Sequence, residues 1–406
     1  MRFLLRRTAP LLFILAGTAH AEDWPGWRGP RGDGSSRETR VPLNWSATEN
    51  IRWKTAIQGR GYSSPIVSGG CIFLTTCLEN EKKRVLLCLD RCNGKILWQR
   101  VVVTADLEEK HGLNSYASST PATDGKYVWV PFLSRPNIQL ACYDCDGNLK
   151  WMKSPGEFHS KHGFCSCPVL YKNMVILNCD QDAVAYIVAL DKATGEERWR
   201  ADRPNRTRSY CTPLIVTAAG KHQLVLSGSK CVASYDPDTG KQLWIIAGPT
   251  EQFVASMVYL DDVLFLTAGF PTYHLLAIRP DGAGNVTNTH VLWHKTKGAG
   301  YVPSPVASGK WFFVVTDDGI ASCWEAKTGT RQWMERLGNH HSASPVASAG
   351  HLFFTDDAGV TYVLKPGKKM EEVSRNALGE ECFASPAVAH GQLFIRTVKH
   401  LWCIGR

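Results

Sequence analysis

The chain has 406 residues, 44% of them hydrophobic and 20% charged, with 35 Gly and 21 Pro. These proportions suit a folded globular protein and exclude a disordered, collagen-like or low-complexity chain. The only long apolar run is N-terminal, which excludes a multi-span helical membrane protein, and the net charge of +9 is spread along the chain, which speaks for solubility and against nucleic acid as a partner.

Residues 1–21 read as a secretory signal. Arg2, Arg6 and Arg7 form the basic region, Leu11 to Ala16 the apolar core, and Ala19-His20-Ala21 a small-x-small cleavage site. The core is too short to cross a bilayer, no second span follows, and no Cys stands at the cleavage point to carry a lipid. The expected product is periplasmic or secreted, with no transmembrane segment. Residues 22–49 then form a Pro- and Gly-containing leader, and residues 50–406 the folded body.

The body repeats. A small residue followed by Pro stands at Ser64-Pro65, Thr120-Pro121, Cys167-Pro168, Thr212-Pro213, Ser304-Pro305, Ser344-Pro345 and Ser385-Pro386, with Ser256-Met257 in the same place. The eight copies lie 40 to 56 residues apart, the spacing of a repeat architecture. After each Pro come β-rich runs such as WFFVVT (311–316) and HLFFT (351–355), hairpin signals such as Asp317-Asp318-Gly319, and a second apolar run. Four short strands and their turns consume about 40 residues, and no sustained helical period appears.

Three copies then close on Asp-x-x-x-Gly with Trp four residues later, CLDRCNGKILW (88–98), ALDKATGEERW (189–199) and SYDPDTGKQLW (234–244); CWEAKTGTRQW (323–333) and the one-residue-shorter CYDCDGNLKW (142–151) are variants of the same string. The Asp side chain caps nearby N–H groups and Gly takes the left-handed turn position. Trp53, Trp98, Trp151, Trp199, Trp244, Trp293 and Trp333 are read as structural plates on outer strands, each N–H seeking an acceptor on the adjacent unit. Copy seven, Lys365 to Asn376, lacks both Asp and Trp.

Four-stranded units in series close into an all-β propeller, here of eight blades. The last copy ends after its third strand, while Asn50 to Thr55 carries a Trp and has no unit of its own. That N-terminal strand is therefore expected to close the ring.

The strings resemble the tryptophan-docking repeats of the PQQ-like (pyrroloquinoline quinone-type) β-propeller family, which includes quinoprotein alcohol dehydrogenases and BamB-type assembly factors. The leader DWPGWRGPRGDGSS (23–36) and GYSSPIV (61–67) resemble exported PQQ-like repeat proteins of planctomycete-type bacteria. The resemblance implies one of two functions: a PQQ-dependent oxidoreductase using calcium, or a non-catalytic binding scaffold. The enzymes of the family carry an adjacent Cys-Cys pair over the quinone, and here the nearest approach is Cys165-Ser166-Cys167. The long inserts that bury their quinone are also missing. The reading is therefore a scaffold with no cofactor, PQQ with calcium being the alternative.

No hydrolase, zinc-protease or phosphate-loop motif occurs. His159-x-x-His162 and His340-His341 lack a carboxylate or Cys at ligand spacing, so no metal is assigned. Cys88, Cys142, Cys323 and Cys403 share one repeat position with Ala189 and Ala277, as buried small residues would. Cys165 and Cys167 are read as strand residues facing one side, and the other Cys could pair after export. The candidate binding residues precede the Ser-Pro sites, on the rim shared with the turns between second and third strands: Arg60, Tyr62, His111, Asn114, Tyr116, His159, His162, Arg206, Arg208, Tyr210, Tyr301, His340 and His341. Loops on a rigid scaffold that carry Tyr, Arg and His suit a protein, peptide or glycan partner at the channel mouth. The protein is expected to act as a monomer.

Overall fold

The computed structural model describes residues 21–405, so the secretory-signal reading falls almost wholly outside the described residues. Eight sheets form a ring, seven of four strands and one of five. Each blade is an up-and-down meander. Its innermost strand begins just after the small-residue/Pro site: Ile66–Ser68, Ala122–Thr123, Val169–Tyr171, Leu214–Ala218, Val258–Leu260, Val306–Ser308, Val346–Ser348 and Ala387–Ala389 for blades 1 to 8. Glu79–Glu81 is a single 3-10 turn, and among the described residues no helix is long and apolar enough to cross a membrane.

Closure follows the expected route. The N-terminal strand Ile51–Ala56 pairs antiparallel with His400–Ile404 and becomes the outer strand of blade 8. One ladder thus joins the two ends of the ring and covers the edge that His400–Ile404 would otherwise leave open.

The repeated strings work as read. Trp53 Nε1 donates to the Arg91 carbonyl at 2.9 Å, Trp98 to Cys145 at 2.8 Å, and Trp199 to Pro237 at 3.1 Å. Trp151, Trp293 and Trp333 donate to Lys192, Ala326 and Gly367. Every one of these acceptors lies in the turn of the next blade. The turn glycine is needed there twice over: Gly94 has φ 74°, and a Cβ on it would stand 2.4 Å from the Trp53 ring. Each of these indoles is therefore clamped between its own blade and the neighbour's turn between third and fourth strands.

Trp244 departs from the pattern. Its Nε1 donates to Gln223 Oε1 within its own blade at 2.9 Å. The corresponding turn of blade 5 is enlarged, and Gly284–Asn285 from it pairs parallel with the outer strand Gln242–Ala247 as a fifth strand. That addition covers the edge a neighbouring carbonyl would otherwise approach.

Cys88, Cys142, Cys323 and Cys403 are buried as the Cys/Ala alternation requires. Cys165 and Cys167 are a correction: they lie in the loop before blade 3's inner strand, because Pro168 belongs to the channel-entering turn and the ladder starts only at Val169.

Candidate functional site

The small-residue/Pro sites form a belt around the channel. Ser64 N–H donates to Thr120 Oγ1, Thr120 to Cys167 Sγ, Thr212 to Ser256 Oγ, Ser256 to Ser304, Ser304 to Ser344 and Ser344 to Ser385, at 2.8 to 3.3 Å. At these six of the eight sites the backbone amide is thus satisfied by the side chain of the next blade. A larger residue would open the belt, and Pro after it sends the chain into the channel with no amide to satisfy.

Above this belt the lead-in loops meet the turns between second and third strands. Isolated bridges join Arg60 to Cys77 and Gln252 to Phe270. Asp317, in the blade 6 turn, accepts from the Val302 and Tyr301 amides at 2.8 and 3.2 Å; burial pushes its carboxyl up, against those bonds. One rim therefore carries both loop types.

The candidate residues separate on this rim into groups. Arg60 stacks over Tyr62 and donates to its hydroxyl at 2.8 Å, while Tyr62 packs on Phe383 with ring centroids 4.6 Å apart. His111, Asn114, His162 and Tyr210 come together across blades 2 to 4. The His111 and His162 rings meet edge to face at 5.8 Å, Asn114 Nδ2 donates to the His162 carbonyl at 2.8 Å, and the His162 and Tyr210 rings lie 6.1 Å apart. Burial, then the charges of Arg208 and His111, hold the His162 imidazole below its ordinary pKa, so it is biased towards the neutral form. Tyr116 stands under Lys110 and Arg84. Arg206 is exposed, whereas Arg208 is held by Asp182 at 2.7 Å.

Three candidates belong to the interior, Tyr62 against Phe383 being the first. Tyr210 is buried, its hydroxyl bonded to Ser160 at 2.8 Å. His341 is fully buried, its ring nitrogens 3.1 and 2.6 Å from the Thr355 and Leu337 carbonyls. It braces the loop between blades 6 and 7 and offers nothing to a ligand. The His pairs also have carboxylate neighbours that sequence spacing did not reveal: His159 meets Glu157 at 2.9 Å and His340 meets Asp357 at 2.6 Å. Among the described residues no three metal-ligating side chains converge.

Sequence reading missed an aromatic patch. Phe270 and Tyr273, in the second-to-third-strand turn of blade 5, are each 47% exposed. Phe270 lies 6.3 Å from the Tyr301 ring, and the Tyr301 hydroxyl donates to Gln252 at 3.3 Å. Only the rim geometry joins the three rings, since they come from segments thirty residues apart in the chain.

The opposite end of the channel is occupied by the leader. Trp24 pairs with Val67, and Asp23 accepts from Ser68 Oγ at 2.9 Å. Arg28 is buried in the channel, donating to the carbonyls of Pro345 and Pro305 on blades 7 and 6. A guanidinium is thus solvated by backbone oxygens, and burial lowers its pKa to about 10.

The family model described as outer membrane protein assembly factor BamB matches residues 39–134, 82–335 and 283–368. The outer membrane protein assembly factor BamB of Burkholderia pseudomallei (strain K96243) is 33% identical over 116 residues, which are 28% of this chain and 30% of that protein. The match thus spans less than a third of the curated relative's length. Among solved structures, BamB from Moraxella catarrhalis matches with a TM-score of 0.62 at 13% identity, covering 86% of this chain and 98% of that one. Quinohemoprotein alcohol dehydrogenase ADHIIG from Pseudomonas putida HK5 matches with a TM-score of 0.67 at 10% identity, covering 94% and 80%. At such identities the structural likeness is one of fold.

Proposed function

Because the chain belongs to the family described as outer membrane protein assembly factor BamB, we propose that it is a non-catalytic scaffold acting outside the cytoplasm. It docks a protein, peptide or glycan partner on the rim at the channel mouth. The observation that carries this reading is the aromatic patch of exposed Phe270 and Tyr273 with half-buried Tyr301, on the rim that also bears Arg60, Arg206 and His111. Aromatic and Arg side chains are enriched where partners bury each other's surface. The secretory reading of residues 1–21 supports the location.

The residues at the mouth do not fit a calcium-bound quinone. Asp182, Asp317 and Asp357 are engaged by Arg208, by two backbone amides and by His340. Cys167 sits in the hydroxyl belt, where its sulfur accepts from the Thr120 amide. Fold alone does not decide function, so the test has two arms. A photo-crosslinker at Tyr301 should yield a partner adduct in the exported fraction, and one at Lys327 should not. Stoichiometric PQQ binding in calcium with dye-linked alcohol oxidation would overturn the scaffold reading.

A further inference from the structure

The leader covers the second end of the channel unevenly. In a hairpin with a two-residue loop, the residues flanking the loop exchange hydrogen bonds, so the preceding residue turns its N–H and C=O to the free edge. In blade 1, Ser68 and Cys71 flank Gly69-Gly70. Val67 is then the free-edge residue, and its N–H and C=O bond to Trp24 at 2.8 and 2.9 Å. In blade 7, Ser348 and His351 flank the loop, and Ala347 bonds to Gly34 and Ser36 at 2.8 Å. The leader is thus already bonded to channel-facing edges by short stretches at Trp24 and Ser35, joined by a run of turns, and through the Pro25 carbonyl to Thr123 of blade 2.

Blades 3, 4 and 5 present the same edge without it. The pairs Tyr171–Met174, Ala218–Lys221 and Leu260–Val263 flank their loops, which places Leu170, Thr217 and Tyr259 in the register position of Val67. Blade 4 has the longest inner strand, Leu214–Ala218, so Ile215 faces the edge as well as Thr217. Neither residue has a backbone hydrogen bond to this edge among the described residues; the Thr217 carbonyl accepts only the Tyr259 hydroxyl, at 3.1 Å. Beside the edge lies a cavity of about 590 Å³, lined among others by Trp27, Pro30, Leu170, Pro213, Ile215 and Tyr259. Four of these, Trp27, Leu170, Ile215 and Tyr259, stay half-buried although apolar or aromatic. The charges at its lip are consumed within the leader: Arg31 pairs with Glu22, and Asp33 accepts from Ser35.

A row of main-chain donors and acceptors with no strand on it, beside a wall that is apolar at Trp27, Leu170, Ile215 and Tyr259 and whose Arg31 and Asp33 are paired within the leader, matches strand addition by a peptide. We propose that this cleft receives an extended, uncharged apolar segment of another protein, which adds as a further strand to the inner edge of blade 4 at Ile215 and Thr217. The site is separate from the rim and does not depend on it.

The probe is a fluorescein-labelled Val-Thr-Trp-Thr-Val peptide, titrated by anisotropy into the full chain, with two N-methylated versions blocking alternate amides. The expected result is saturable binding that one methylation register weakens about tenfold and the other leaves within about twofold. Thr217→Pro, which deletes the edge N–H, should weaken binding similarly, Thr217→Ala should retain it, and Tyr301→Ala on the rim should leave it unchanged. Where Thr217→Pro does not fold, the methylated pair decides on the unaltered protein. Absence of saturable binding, or equal binding of both methylated peptides, overturns the proposal.

Discussion

The indole of Trp45 stacks on the ring of Phe353, with centroids 6.4 Å apart and planes at 23°. In neighbouring blades the same second-strand position meets the outer-strand Trp of its own blade: Trp53 with Phe394, Trp98 with Phe73, Trp293 with Phe265 and Trp333 with Phe313. Blade 7 has no such Trp. The leader crosses its outer strand instead, with Asn376 Oδ1 accepting from the Trp45 amide at 2.8 Å and Asn376 Nδ2 donating to the Leu43 carbonyl. A residue outside the repeat thus fills the docking place that blade 7 lacks.

Trp45→Ala should therefore destabilise the protein by roughly 3–5 kcal/mol in denaturant titration, as removal of a repeat Trp such as Trp333 would. The two positions differ in polarity. Trp53 Nε1 has its Arg91 acceptor, whereas Trp45 Nε1 is buried without a partner. Trp45→Phe should then cost about 1 kcal/mol less than Trp53→Phe. A loss below about 1 kcal/mol for Trp45→Ala would place that ring in solvent.

How much of this was readable in the sequence depends on periodicity. Blade number, the closing strand and the docking Trp all leave repeated strings, because each blade solves the same packing problem with the same residues. Trp45, Arg28 and the aromatic patch occur once and carry no repeat signal. His341 looked like a rim residue because it precedes a Ser-Pro site, but the two carbonyls that draw it inward come from Thr355 and Leu337. Periodicity places backbone well, and it does not say which side chain of a loop turns in.

Removing residues 22–57 should abolish cooperative folding. The deletion takes away the strand paired with His400–Ile404 and the Trp45 plug together, exposing sheet edges and an apolar face. Removing only residues 22–36 keeps that ladder and should lower the melting temperature while preserving a single transition. A 22–57 deletion that melts as the intact protein does would disprove ring closure by this strand.

Acid should weaken the inter-strand turns. Arg198 holds the Asp191 carboxyl below its ordinary value of 3.8, and Lys172 does the same for Asp238. A depressed folded-state pKa means that the native state binds fewer protons than the unfolded one. The associated stability is present above about pH 4 and is lost as pH falls through the folded value. Melting temperature should hold between about pH 7 and about pH 5 and fall below about pH 4. Asp191→Asn should lower it at neutral pH and make the acid slope shallower; parallel curves would show that this turn does not titrate with folding.

The rim prediction turns on which charges are free. Arg208 is tied to Asp182 and Tyr210 is buried, so neither presents an unused group to a partner. Arg206 is exposed, and Phe270 and Tyr273 lie open beside Tyr301. Lys192 belongs to the other face, where it pairs with Asp124 at 2.9 Å in the turns that clamp Trp151. Once a partner adduct identifies a binder, Tyr301→Ala and Phe270→Ala should weaken its affinity by about tenfold or more, as truncated aromatic anchors do. Arg206→Ala should act mainly on the association rate and lose its effect in high salt. Lys192→Ala should change neither. Calorimetry and stopped-flow titration at two salt concentrations separate these outcomes, and an equal loss at Lys192 would move the docking surface to the leader's side of the ring.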